Sequence, residues 1–561
     1  MRHRRRSSIA LVFAVTAALA TPASAALANP TGTGQPGEYR PVRGPSAPAE
    51  YRFLQKTVRG ETLPRHAYDL AAEQANRLPT VGGNWRTAGP TNIGGRIVGL
   101  ALDPQQRDTL YAASASGGLW RSADAGRTFA PAWPQDATQA MGAVTTASDG
   151  TLYVGTGEPN PGGGSVTYEG TGVYRSTDRG NSWRNIGLRD SGAIGAIAVD
   201  PHDDRRLLVA ATGSLYSGGG DRGVYQSTDG GKSWLRTLDV GGEFTGAVDV
   251  QIDPRDPRRV YAVLWDHRRT PVKRTYGGVG SGVFRSTDGG STWQRLEGGL
   301  PAVGPDVGRI GVAVSASEPG RLYAIINHAA GPFAGFYTSG DSGESWTRLP
   351  EPKVLKDSQS SYGWWFGKIW VDPANAKHVH VAGVPLLTSK DGGQTWTADD
   401  VSVHADQHAM TWDPRYADRV YLGNDGGVYR SDDAASTWQP ISDGLPSDFG
   451  LPMVVDPGDP DRAFVIPLVS EMDRVTVEGR VRVYETCDRG ASWRALTAGL
   501  PQKDAYLTIL RQSFCADGID PLGLFFGATS GDIFASVDGG ESWLAAARHL
   551  PPVLSVRMGR A

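Results

Sequence analysis

One phrase, Ser/Thr-x-Asp-x-Gly-x-x-Trp, recurs nine times along the 561-residue chain and limits its fold more than any other feature. The copies begin at residues 122, 176, 227, 286, 339, 389, 431, 486 and 536, so the spacing runs from 42 to 59 residues. Each copy follows a β-rich run. Repeats of this length, β in character throughout, are the signature of propeller blades. The 74 glycines and 16 tryptophans fit short strands joined by tight turns.

The chemistry of the phrase is local. Glycine admits the positive φ of a turn between two strands. The Ser/Thr and Asp side chains can bond turn backbone groups that would otherwise lack partners. The tryptophan opens the outer strand and packs between blades. These are structural roles, so none of the nine aspartates is a catalytic candidate.

Four strands fit each repeat, and the innermost ends in Asp-Pro at Asp103, Asp200, Asp253, Asp372, Asp413 and Asp456. A single blade cannot bury both faces, so blades must stack in a ring. The expected fold is all-β: a β-propeller of about nine four-stranded blades, preferred as one large ring of nine or ten. A seven-blade ring from Arg96 to Ile441 is the alternative, and it would leave two blades without partners. The segment 84–90 resembles the outer-strand phrase at 182–188 and is expected to complete a blade with Val553 to Met558.

The expected organisation is a signal peptide over 1–28, a Pro/Gly-rich lead-in with a short helix over 29–83, and the propeller over 84–561. Arg2 and Arg4 to Arg6 precede an apolar run from Ile9 to Ala20 that is too short to span a bilayer, and small residues follow it. The reading is a secreted, extracellular chain with no membrane span after cleavage. A net charge of −3 gives no basic stripe, so no nucleic-acid partner is expected. No cofactor or zinc pattern is present. Cys487 and Cys515 could form one disulfide or remain two thiols.

Blade topology puts the repeated turns on one face and the links between blades on the other. Several segments on the second face are long, including 157–170, 214–223, 265–280, 327–335, 353–367 and 469–479. Long loops on a rigid scaffold are the usual place for binding. From them come the catalytic candidates Glu158, Asp406 and Asp425, since glycoside hydrolysis needs two carboxyl groups, one protonated and one ionised. The ligand-binding candidates are Trp265, His267, Tyr362, Trp364, Trp365, His404 and His408. The run His404-x-Asp406-x-His408 would place three polar side chains on one face of a strand. That arrangement suits a hydrogen-bonded channel network, an acid–base cluster or a metal site.

The repeated phrase is identified as the Asp-box, or bacterial neuraminidase repeat. From Arg86 to about Leu349, in GPTNIGGRI, SGGLWRSADAG, VGTGEPN and RGVYQSTDGGKSW, the chain resembles bacterial sortilin-type "glycosyl hydrolase" propellers. Its last 110 residues resemble sialidase-labelled Asp-box proteins. The Phe/Tyr-Arg-Ile-Pro segment of sialidases is missing: GGRIVG and GRIGV lack both the aromatic residue and the proline, which argues against sialidase activity. Double-propeller xyloglucanases carry an acid in an Asp-x-Gly-Gly-x-Tyr-Arg phrase. The nearest match here, NDGGVYR, has Asn424 at that place and Asp425 one position later. The preferred functional expectation is a non-catalytic propeller recognising extracellular polysaccharide or protein on its long-loop face. The alternative is a glycoside hydrolase working through a carboxylate pair.

Overall fold

In the computed structural model, the structure describes residues 67–75, 77 and 95–557, except 135–136, 161–167, 270–273, 360–361, 400–401, 441–451, 470–473, 489–491 and 511. The segments read as a signal peptide and most of the lead-in lie outside the described residues, as does 84–90. A helix at Ala67–Ala75 packs Ala67 against Leu215 and Tyr216.

The described chain forms nine four-stranded antiparallel sheets, each in simple sequential order from inner to outer strand; the fourth also carries a separate two-stranded hairpin, Arg268–Arg269 with Arg274–Thr275. The inner strands of the first seven blades are Ile97–Leu102, Met141–Thr146, Ile194–Asp200, Thr245–Ile252, Val307–Val314, Ile369–Asp372 and Gln407–Trp412. Small residues such as Gly99, Gly142, Gly195 and Gly311 on several of them let neighbouring backbones approach closely.

The recurring turn accounts for this regularity. Ser122 Oγ donates to Asp124 (2.7 Å) and accepts from the Gly126 amide (2.8 Å), while Asp124 accepts from the backbone and hydroxyl of Thr128. The same set recurs around Asp229, Asp288 and Asp391. The Ser182 hydroxyl and amide hold the Asp178 carboxyl at about 2, so it stays ionised. In the seventh copy, Ala435 takes the glycine's place at φ +63°, a strained conformation for a residue with a side chain. Tryptophans staple consecutive blades: Trp183 donates to the Ala132 carbonyl at 2.9 Å and Trp234 to that of Ile186 at 2.7 Å.

Nine blades are present, as the repeat count implies, but the preference for one ring of nine or ten needs correction. The inner strand of the seventh blade lies against that of the first, which closes a circle of seven. Arg419 of the seventh blade pairs with Asp108 of the first at 2.9 Å, and Arg430 donates to the Ala125 carbonyl at 3.2 Å. The backbones at this seam pass so closely that a Cβ on Gly423 would stand 2.7 Å from Ile97 Cγ2. No space is left there for an eighth blade. Gly423→Val should therefore cost about 1–3 kcal/mol through forced displacement at the seam, read as a lower midpoint in denaturant unfolding.

The eighth and ninth blades, with inner strands Met453–Asp456 and Phe514–Ala516, share a core of their own built on Phe464, Phe526 and Trp543. Arg462 donates to the Gly539 carbonyl at 3.0 Å, and Arg494 pairs with Glu541 at 2.6 Å, joining the two blades. The last described residues bond to Ala528 and Gln512 of this pair without forming a strand. Cys487 and Cys515 are thiols, the first exposed and the second half-buried.

Candidate active site

Every inner strand of the seven-blade ring starts at the same rim, the one that also carries the links between second and third strands. The long-loop residues thus converge on one mouth of the central channel.

At the seam of blades seven, one and two, Arg96 precedes the first inner strand. Its Nη2 donates to Glu158 Oε2 at 3.0 Å, and its Nε stands 4.0 Å from Asp425 Oδ1. One guanidinium contacts both carboxyl groups, so the two oxygens lie on the order of 9 Å apart at most, no farther than glycosidase pairs reach. The guanidinium also covers the Trp365 ring, 5.3 Å from its centroid. Glu158 follows Gly157, where φ is +83° and a Cβ would meet the Gly192 carbonyl at 2.1 Å, so the tight turn that delivers Glu158 requires glycine.

The two carboxyl groups differ sharply in environment. Glu158 is 2% exposed, and burial pushes its pKa up to about 8 against the pull of Arg96; nearby Asp425 adds to the rise. Its Oε1 has no hydrogen-bond partner among the described residues. Asp425 is 29% exposed at the tip of the turn between Asn424 and Gly427. Burial would raise it too, but the hydrogen bond from His408 Nε2 (3.0 Å) and the nearby Arg96 hold it below its ordinary value. Burial in turn lowers the His408 pKa. The hydrogen bond with His408, the charge that His408 can carry and Arg96 all favour the ionised form of Asp425.

Asn424, at the position where the xyloglucanase phrase has its acid, is fully buried. It bonds Gln407 and the Gly426 amide, which shapes the turn. The one-place shift hands the outward position to Asp425.

The other candidates divide. Trp265 and Trp364 are corrected from ligand platforms to wall. Both are buried in one core cluster, bridged by Tyr276, which stacks on Trp364 at 4.3 Å. His267 is also buried, its ring parallel to that of Trp265 at 4.2 Å. Tyr362 is exposed beside Trp364, and Trp365 is half-buried, 6.0 Å from His408. His404, Asp406 and His408 do not share a strand face. The strand starts only at Gln407, and Asp406 turns at φ +65°. His404 Nδ1 lies 3.0 Å from the Ala405 carbonyl. Among the described residues no group of His, Cys, Asp or Glu is placed to hold a metal.

Sequence reasoning missed Arg96. A usable signal was there: it is a lone charge just before an otherwise apolar inner-strand run, GRIVGLAL.

No family model matches the sequence. A xyloglucanase from Paenibacillus sp is 25% identical over 370 residues, covering 58% of this chain and 33% of that protein. A xyloglucanase from Acetivibrio thermocellus is 26% identical over 345 residues, covering 54% and 38%. The chain thus spans little more than a third of the length of the curated relatives it matches. The solved structure of an ancestral GH74 enzyme superposes with a TM-score of 0.55 at 16% identity, over 84% of this chain and 64% of that one, a likeness of fold. These relatives overturn the expectation of a non-catalytic recognition propeller, because the curated proteins that the chain resembles are named as enzymes. No helix among the described residues is long and apolar enough to cross a membrane. In sequence and in fold, the chain is similar to propeller glycoside hydrolases of the xyloglucanase kind.

Proposed function

We propose that this protein is a glycoside hydrolase acting on a branched plant polysaccharide of the xyloglucan kind. The observation that carries the reading is the pairing of Glu158 and Asp425 through Arg96, with opposite protonation preferences. Glu158 keeps its proton at neutral pH and serves as the general acid toward the leaving glycosidic oxygen. Asp425 is ionised on the more open side and acts as base or nucleophile. His408 orients Asp425, and Trp365 supplies a ring face at the mouth. The likeness to xyloglucanases supports the substrate class.

The test is incubation of the full chain with xyloglucan, scoring released reducing ends; no release from xyloglucan or from other β-glucans contradicts the reading. His408→Phe should move the acidic limb of the pH profile of kcat/KM upward, because Asp425 loses the bond that keeps its pKa low. An unmoved acidic limb would exclude Asp425 as the ionised partner.

A further inference from the structure

Blades meet through fixed positions in the strand register. In each blade one second-strand residue pairs with the Ser/Thr of the repeated turn, as Val260 does with Ser286 and Ala463 with Thr486. Two places beyond it, the residue's inner-strand partner faces the preceding blade. Ile197, Val250, Val312 and Met410 hold that position in the ring, each within a core shared with the blade before. Phe514 holds it in the ninth blade, buried against the eighth. The eighth blade has Met453 there, and Met453 is 42% exposed, against no more than 8% for the other five. Val455, on the same face of the same strand, is exposed as well.

The opposite face of the pair has the matching feature. One place beyond the Ser/Thr partner, the second-strand residue faces the following blade. Tyr111, Tyr153, Tyr261, Tyr323 and Phe464 hold this position, all of them buried in a core shared with the next blade. The ninth blade has Phe525, which is only half-buried. A Cβ on Gly527 would meet Val553 and Val556 at 2.4 and 3.1 Å, so the C-terminal segment covers that end of the face. Phe525 stands beside the covered end. The blade pair thus carries, on its two outer faces, the two halves of the contact that Phe464 and Phe514 make inside it.

We infer that a second copy of this chain covers both faces. The ninth blade of each copy packs on the eighth blade of the other, and the four blades close a ring about a two-fold axis. A second copy is the partner that supplies both halves at once, Met453 and Val455 from its eighth blade and Phe525 from its ninth. Four blades is the smallest common propeller ring, and two-fold closure is the commonest symmetry of homo-oligomers. Gly523 stands where Arg462 donates to the Gly539 carbonyl within the pair, so the contact between copies is apolar and lacks that charged staple. None of this depends on the reading of the carboxyl pair.

Sedimentation velocity of the full chain over a range of concentrations tests it, and the expected result is a reversible monomer–dimer equilibrium. Met453→Lys and, separately, Phe525→Glu should each weaken dimerisation by about tenfold or more, since each removes a large apolar side chain from both contacts. An equimolar mixture of the two variants should dimerise better than either alone, because one of its two contacts is then unaltered. Val455→Lys serves if Met453→Lys fails to fold. A monomer at every concentration, or an oligomer larger than a dimer, overturns the inference. So does a dimer weakened by only one of the two substitutions, which would mark a like-with-like contact of one face.

Discussion

Glu158→Gln should lower kcat on a cleavable polysaccharide by about 10²- to 10⁴-fold, the usual worth of a positioned general acid. Asp425→Asn should fall in the same range. The Glu158 variant carries a second signature that a merely structural residue would share only in part. Its folded pKa, about 8, lies above the ordinary value of 4.5. The stability that the protonated carboxyl contributes is complete below pH 4.5 and is lost progressively as pH rises through about 8. Gln cannot ionise. Wild type and variant should therefore be close in stability near pH 4.5, and the variant should gain on wild type by up to about 1.4 kcal/mol per pH unit until pH 8. Chemical denaturation across that window measures the gap. A constant gap would show that Glu158 is ionised in the folded protein.

The second large effect belongs to Arg96→Met. The arginine is the shared donor for Glu158 and Asp425, it covers Trp365, and it sits at the seam where the ring closes. Its loss leaves the Glu158 Oε2 atom without a donor and Asp425 without its nearest cation. Removing the donor to a buried polar group costs about 1–3 kcal/mol. Activity should disappear as well, since the two carboxyl groups lose the group that holds them in register. At about pH 9, where Glu158 is ionised, the cost of Arg96→Met should be smaller in a Glu158→Gln background by about 1–2 kcal/mol, because a neutral amide needs the cation less. Strict additivity in that double-mutant cycle would mean that the two side chains do not act together.

Blade number and the role of the repeated turn were legible because both are local. Ser122, Asp124 and Thr128 satisfy one another within seven residues, and the pattern announces itself wherever it recurs. Closure was not legible, because every blade carries the same local signals whichever neighbour it meets. The seam is decided by unique pairs such as Arg419 with Asp108, 311 residues apart, and by the bare backbone at Gly423. The site divides along the same line. Glu158 and Asp425 stood out as loop carboxylates, yet nothing in the chain links them until Arg96 is seen between them. The even spacing of His404, Asp406 and His408 suggested one strand face, but that inference needed extended backbone, and Asp406 adopts φ +65° instead. Trp265 and Trp364 looked like sugar platforms by residue type. The geometry spends them on packing against Tyr276, and only Trp365 keeps part of its ring toward the mouth.

The central claim is that a protonated carboxyl and an ionised one coexist at neutral pH on either side of Arg96. Infrared difference spectroscopy of wild type against Glu158→Gln, recorded from pH 5 to 10, addresses it without requiring turnover. The account predicts, in the wild-type-minus-variant difference, a protonated-carboxyl band that persists at pH 7 and fades through about pH 8. A difference band already lost by pH 6, or none at all, would contradict it.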